Sequence, residues 1–141
     1  MSLVKVPNFG EAEEDFAVAV FGMPCLSCPQ GHERVFAYPD FPVEMLEKIF
    51  AGMPKAVEKG LVDKKRFCCK CQRSMSEAMA EDGRLTIQIS LRDLESFRVE
   101  LAGLLWRCPF CRQQQVLKDR KLSSEVPEAL AKGFESINLK N

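Results

Sequence analysis

From Leu85 to Leu91, apolar residues occupy every second position and polar residues stand between them. Successive side chains of a strand point to opposite faces, so this alternation predicts a strand with one buried face. The β-branched and aromatic residues of Phe16–Phe21 predict another strand. Weaker alternation over 33–38 and 113–117 predicts two further strands.

Apolar residues at helical spacing predict a helix that begins near Asp40, with Pro42 in its first turn. A short second helix is predicted over 55–60, after the interruption by Gly52 and Pro54. Residues 124–137 have the pattern of a C-terminal helix.

Two segments are harder to assign. Ser74 and Glu77 have the spacing of a capping box, and Gly83 is a plausible stop signal, so a short helix is predicted over 75–82. Residues 92–103 suit a helix and a strand equally, because their apolar positions satisfy both periods.

These elements predict an α+β fold with a zinc-ribbon-like antiparallel β core. We expect an N-terminal leader at 1–15 that ends in an acidic run, followed by a metal-binding domain over 16–121. That domain carries a helical insert at 40–60, and a C-terminal helix follows at 122–141.

Composition removes several classes of protein. The 141 residues include 20 Lys+Arg and 20 Asp+Glu, so the chain is not a polycation that coats nucleic acid through bulk charge. With 46% hydrophobic and 28% charged residues, it is not compositionally disordered either.

Seven cysteines are the strongest chemical signal, and six of them form three C-x-x-C pairs. A tight turn lets two thiolates and two turn amides face one ion, and two such turns supply a tetrahedron of sulfur for zinc. The sequence therefore predicts Zn²⁺ bound by cysteine. The candidate ligands are a first pair, Cys25 and Cys28, a second pair, Cys68 and Cys71, and a third pair, Cys108 and Cys111.

Six ligands do not divide into sets of four, so the grouping of the pairs stays open. We favour the second pair with the third, because the strand predicted over 85–91 lies between them and could form a shared sheet. The first pair with the second is the alternative. Two separate sites would need Cys69 and His32 as further ligands. Cys69 adjoins Cys68, and neighbouring side chains of an extended segment point apart.

The zero net charge conceals two basic segments. Residues 59–75 carry a net charge of +5 and residues 107–121 carry +4, and each segment holds a cysteine pair. Compensation of a negatively charged thiolate site explains this pattern, and so does a basic face for a nucleic acid or protein partner. The residues predicted for such a face are Lys64, Lys65, Arg66, Lys70, Arg73, Arg107 and Arg112.

At Cys25-Leu26-Ser27-Cys28 and Arg107-Cys108-Pro109-Phe110-Cys111 the chain resembles the zinc-ribbon superfamily, and its wider arrangement is similar to bacterial CpXC-type proteins. The resemblance implies cysteine-bearing turns that clamp zinc between strands; it does not imply one function. A glycine often follows the pair in such proteins. Here Pro29, Gln72 and Arg112 occupy those positions.

The function predicted is that of a non-catalytic zinc-binding protein. There is a single histidine and no H-x-E or H-E-x-x-H pattern, which disfavours a zinc hydrolase. The alternative is a thiol–disulfide oxidoreductase that uses Cys108 and Cys111, since C-P-F-C resembles a glutaredoxin motif. Iron suits the same ligands as zinc, and the sequence does not separate the two metals.

No apolar stretch near the N-terminus has the length of a signal peptide, and no window is apolar enough for a transmembrane helix. We therefore expect a cytoplasmic protein without membrane contact. In that reducing compartment, paired cysteines are more often metal ligands than structural disulfides.

Overall fold

A computed structural model describes residues 1–30, 33–117 and 120–140. Within them the chain forms two helices and eleven strands, which confirms the predicted α+β class. In chain order the elements are β1 (Ser2–Lys5), β2 (Phe9–Ala12), β3 (Phe16–Phe21), β4 (Pro24–Ser27), β5 (Arg34–Val35), α1 (Phe41–Gly52), β6 (Val57–Lys59), β7 (Lys65–Phe67), β8 (Met79–Ile89), β9 (Phe97–Arg107), β10 (Gln114–Gln115), α2 (Arg120–Ser136) and β11 (Leu139–Lys140).

The long strand β9 organises the largest sheet. Along its whole length it pairs antiparallel with β8, in a register that sets Met79 opposite Arg107 and Ile89 opposite Phe97. On its other edge β9 pairs first with β3 and then, at Trp106 and Arg107, with β10. Strand β2 continues the sheet beyond β3.

Two smaller sheets complete the β structure. One has the order β1-β4-β5-β11, in which β11 runs parallel to β5 and brings the C-terminal segment to the sheet edge. The guanidinium of Arg34 holds that segment by donating a hydrogen bond to the carbonyl of Ile137 at 2.9 Å. The other sheet is the β6–β7 hairpin, which pairs Val57 with Phe67.

The core lies between the large sheet and the two helices. Helix α1 buries Phe41, Met45 and Ile49 on one face, as its helical spacing requires. Every second residue of β9 from Phe97 to Leu101 is buried against this layer. Among the described residues, no helix is long and apolar enough to cross a membrane.

Several sequence predictions are confirmed. Strand β3 coincides with the predicted Phe16–Phe21, and β8 contains most of the predicted 85–91. Helix α1 begins at Phe41, directly after Asp40. Helix α2 lies where a C-terminal helix was expected, although it begins four positions earlier than predicted, at Arg120.

Two predicted helices are wrong. Residues 55–60 form a bridge and strand β6, and the segment 75–82 leads into β8. Gly83 does not stop a helix: it lies inside β8 opposite Gly103, and a Cβ there would meet the Leu105 side chain at 2.8 Å. Pairing with β9 outweighs the local capping signal, because it extends over eleven residues.

The ambiguous segment 92–103 resolves largely into strand β9. The N-terminal segment 1–15, expected as a leader, contributes β1 and β2 to two different sheets. The helical insert expected at 40–60 is helical only over α1.

Candidate metal centre

The second and third cysteine pairs occupy two turns of the same design. In each turn the first cysteine donates its backbone N–H to the carbonyl five residues ahead, at 2.8 Å from Cys68 to Arg73 and at 3.0 Å from Cys108 to Gln113. In each, the residue after the second cysteine donates back to the first cysteine's carbonyl at 3.0 Å. This bonding folds the chain so that both sulfurs of a pair lie on one side.

The residue after each pair has a left-handed backbone. The φ angle is 66° at Gln72 and 70° at Arg112. Glycine adopts this conformation without steric cost, whereas other residues pay roughly 1–2 kcal/mol for it. The turns therefore form without the glycine that is common at this position, at some cost in backbone strain.

The two turns bring four sulfurs together. The Sγ atoms of the second and third pairs all lie within 4.8 Å of one another. Cys68 Sγ is 3.5 Å from Cys111 Sγ, and Cys71 Sγ is 3.5 Å from Cys108 Sγ. A zinc tetrahedron with Zn–S bonds of about 2.3 Å requires sulfur–sulfur separations of about 3.8 Å. The four sulfurs thus fit a tetrahedral ion with little adjustment, and the favoured grouping is the one that the structure brings together.

Hydrogen bonds to sulfur favour the thiolate form. Burial raises the pKa of the Cys68 thiol, but donors from the Gln115 side chain and from the backbone amides of Cys71 and Lys70 outweigh burial and lower this pKa to about 6. Burial also opposes ionisation of Cys108, and amides of its own turn lower its pKa in the same way.

Hydrogen bonds among the sulfurs work in the other direction at Cys71. The backbone amide of Arg73 lowers the pKa of the Cys71 thiol, while burial and hydrogen bonds with the three neighbouring sulfurs raise it, to about 11. A divalent cation among the sulfurs would favour the thiolate forms.

Gln115 supports the cluster from β10 and is completely buried. Its Nε2 donates to Cys68 Sγ at 3.2 Å, and its Oε1 accepts from the backbone N–H of Cys69 at 2.9 Å. Sequence reasoning placed this residue only in a strand. The available signal for a role beside the cluster was its position, since Gln115 follows Cys111 by four residues and is buried in β10.

Cys69 is exposed and does not belong to the sulfur cluster. It contacts the surroundings of the cluster through its backbone N–H, which donates to Gln115 Oε1. This position agrees with the expectation that the side chains of Cys69 and Cys68 point apart.

The first cysteine pair lies elsewhere in the fold. Cys25 is buried in β4 opposite Val4, and burial raises its pKa despite the influence of Arg34. Cys28 donates its N–H to the carbonyl of Glu33 at 3.2 Å and accepts a hydrogen bond on Sγ from the Glu33 N–H at 3.4 Å. Neither joins the four clustered cysteines. Metal binding by this pair stays a prediction, and its candidate partner His32 lies outside the described residues.

The predicted basic residues differ in how strongly they are engaged. Arg107 is occupied, since its Nε donates to Glu81 at 2.6 Å and its Nη1 to the carbonyl of Arg112 at 3.1 Å. Arg66 lies 3.5 Å from Glu58, and the Arg73 guanidinium lies 4.8 Å from the Phe110 ring centroid. In the described part of the chain, Lys64, Lys65 and Lys70 form no ion pair with a carboxylate.

Fold and site together define an α+β protein with a four-cysteine centre compatible with a metal ion. No protein-family model, no curated protein and no solved structure matches this chain. The sulfur geometry and its surroundings therefore carry the functional argument.

Proposed function

We propose that this protein is a non-catalytic zinc-binding module in which one ion joins the turns of the second and third cysteine pairs. The observation that carries the proposal is the set of four sulfurs within 4.8 Å of one another. Four protein ligands complete a tetrahedron, which is typical of structural zinc, whereas catalytic zinc keeps one position for water or substrate.

The surroundings of the cluster support a structural role for the metal. Cys68, Met75 and Cys108 form a small buried group of their own, apart from the main core, with Trp106 and Ala78 packed against it. Three buried side chains remove too little apolar surface from water to offset the ordering of two turns. Zinc binding supplies the missing free energy, as it does in other small metal-bound hairpins.

The thiol–disulfide alternative is less well supported. In glutaredoxin-type sites the reactive cysteine stands at a helix N-terminus, which lowers its pKa. Here the turn of Cys108 and Cys111 is followed by strand β10, and α2 begins only at Arg120. Hydrogen bonds within the turn, rather than a helix, favour the thiolate.

Elemental analysis of the purified chain tests the metal proposal directly. We expect one zinc per chain and a colourless protein. The Cys71→Ser variant should lose zinc. The control is Cys69→Ser, which removes an exposed cysteine two positions earlier and should retain zinc. A red protein that contains iron would show that the bound metal is iron and not zinc. A metal-free chain that cycles between dithiol and disulfide would instead favour the oxidoreductase.

We further propose that the basic residues beside this centre bind a polyanionic partner, with nucleic acid as the first to test. Lys64, Lys65 and Lys70 support this, because no carboxylate among the described residues forms an ion pair with them. Binding of single-stranded RNA should weaken steeply with salt and fall in Lys65→Ala. If RNA does not bind, or binds independently of salt, nucleic acid is excluded as the polyanionic partner and an acidic protein is the next to test.

A further inference from the structure

A cleft of about 390 Å³ opens beside the cysteine cluster, between β7, the turn after the second cysteine pair and the end of β9. Its volume lies in the range of small-molecule sites. The lining includes Lys64, Lys65, Arg66, Ser74, Ser76 and Trp106.

The cleft is cationic. Three consecutive basic residues from Lys64 to Arg66 line it, and none of its described lining residues is acidic. Lys64 and Lys65 have no carboxylate partner among the described residues, and Arg66 shares its charge with Glu58 at 3.5 Å. An anionic group is the complement of these residues.

Two hydroxyl groups stand with these cations. Ser74 Oγ lies 3.2 Å from Ser76 Oγ and accepts the Ser76 backbone N–H at 3.2 Å, so the turn fixes the position of both side chains. Hydroxyl donors together with cationic side chains are typical contacts of phosphate oxygens.

The rest of the lining is apolar and consists of Trp106, Met75, Ala78 and Leu117. The indole is partly buried and packs against the cysteine cluster, which holds it in place. An aromatic side chain held at the wall of a cationic cleft suits a planar ring that stacks on it.

A ligand that satisfies both the basic and the apolar lining residues carries a phosphate and a planar ring. We infer that this cleft binds a nucleotide, with its phosphate at Lys64, Lys65 and Arg66 and its base against Trp106. Inorganic phosphate would leave the apolar wall unused, and an uncharged aromatic would leave the cations unused. The inference rests on the proposed function, since it names the chemistry recognised at the same basic face.

The chain contains a single tryptophan, so its intrinsic fluorescence reports on the cleft. Zinc-loaded protein is titrated with AMP and UMP, with ribose 5-phosphate, and with a short single-stranded oligonucleotide. We expect saturable quenching by the nucleotides and binding of ribose 5-phosphate that is at least tenfold weaker. Tighter binding of the oligonucleotide than of AMP or UMP would identify a strand as the natural source, and the reverse order a free nucleotide.

The double variant Lys64→Ala/Lys65→Ala should weaken nucleotide binding roughly tenfold or more, because it removes two phosphate contacts. The matched control is Lys48→Ala/Lys140→Ala, which removes two exposed lysines from elements that do not line the cleft. Trp106→Ala, followed by calorimetry, should also weaken binding, whereas Trp106→Phe should retain most of it. Zinc content and circular dichroism show whether each variant is folded.

Three results would overturn the inference: no binding of any nucleotide at millimolar concentration, equal weakening by the control variant, or equal affinity for ribose 5-phosphate. Long RNA that binds through Lys70 without changing the fluorescence of Trp106 would reject the cleft and keep the proposed function. Nucleotide binding without binding of long RNA would keep the cleft and reject the polyanionic partner.

Discussion

Single residues set the geometry of the cysteine cluster. Gln72 and Arg112 hold the left-handed backbone that turns each cysteine pair, and Gln115 connects the sulfur of Cys68 to the backbone beside it. None of the three is one of the four clustered cysteines. Each fixes the position of a sulfur through backbone conformation or hydrogen bonding, so their substitution tests the site without removing a cysteine.

Glycine at either turn should stabilise the protein. Gln72→Gly or Arg112→Gly removes the strain of the left-handed backbone. Because glycine also has greater freedom in the unfolded chain, part of this gain is lost, and we expect the free energy of unfolding to rise by about 0.5–1 kcal/mol. Urea unfolding of zinc-loaded protein measures the difference. Gln113→Gly, next to β10, is the control and should destabilise. If both glycine variants destabilise the protein, the left-handed backbone at these positions is not strained.

Loss of the Gln115 amide should destabilise the metal-loaded protein by about 1–3 kcal/mol. Gln115→Leu removes the buried hydrogen bond to Cys68 Sγ and the acceptor of the part-buried Cys69 N–H, and loss of hydrogen bonds to a charged group carries a cost of this size. Denaturant unfolding gives the change, and the thiolate absorption of the Co²⁺-substituted protein reports on the sulfurs. Gln88→Leu, at an exposed position of β8, should change neither quantity appreciably.

At the scale of elements, close contacts fix how the helices lie on the sheet. Helix α2 approaches β2 at Gly133, where an added Cβ would lie 2.6 Å from the Phe9 ring. Helix α1 is tied to the segment after β8, because Arg92 donates to Glu44 at 2.7 Å and stacks 3.7 Å from the Tyr38 ring centroid. Each contact makes a separate prediction.

Gly133→Ala should destabilise the fold although alanine favours helices. The ring of Phe9 would have to move, and overpacking of this kind costs about 1–3 kcal/mol, more than the roughly 1 kcal/mol gained in helix propensity. Thermal unfolding measures the net effect. Ala131→Gly, at an exposed position of the same helix, reports the propensity alone. A higher melting temperature for Gly133→Ala would contradict the close packing.

The Glu44 contact should make stability depend on pH. The hydrogen bond from Arg92 lowers the pKa of the Glu44 carboxyl below 4.5. Its stabilisation is therefore present above the unfolded-state pKa and is lost as pH falls through the lower folded-state value. The gap in unfolding free energy between wild type and Glu44→Gln should be constant near neutrality and close in acid. Glu47→Gln corrects for removal of one charge from α1, and a gap that widens in acid would contradict the contact.

Element prediction from sequence succeeded where burial and periodicity agree. Strand β3 and the buried half of β8 alternate clearly, and α1 has one apolar face. It failed at 75–82, where the capping pattern of Ser74 and Glu77 is local and the pairing with β9 is not. A sequence does not show which strands will be neighbours. Local signals therefore give the wrong secondary structure in segments whose structure depends on pairing with another strand.

The whole molecule consists of a main core and a separate small core around the cysteines. The main core is large and includes residues from both helices and the large sheet. It should therefore hold the fold without metal, whereas the turns of the second and third cysteine pairs should not. We therefore expect a stable scaffold and one end whose order depends on the proposed metal ion.

Removal of zinc by a strong chelator should loosen only that end. We expect amide hydrogens near 66–76 and 106–115 to exchange rapidly, while those near Val99 and Leu101 keep their protection. Hydrogen exchange followed by mass spectrometry measures this. Re-addition of zinc is the control and should restore protection. Loss of protection throughout the chain, or none anywhere, would show that the two cores are not independent.

The site was predictable in part. The spacing of the cysteines indicated all four clustered residues as candidate ligands, because C-x-x-C turns have few other uses in the reducing compartment that was expected. It did not separate them from Cys25 and Cys28, which have the same spacing and lie in another sheet. The distinction depends on which strands pair, and that information is spread over the whole chain.

The register of β8 and β9 also has a kinetic consequence. The second and third cysteine pairs are far apart in sequence, yet Met79 opposite Arg107 places both turns at one end of a single hairpin closed by residues 90–96. Hairpins of this kind form from local contacts and are among the faster events of folding. We therefore expect the sulfurs to meet through pairing of neighbouring strands rather than through closure of a long loop, and the proposed metal ion to bind last.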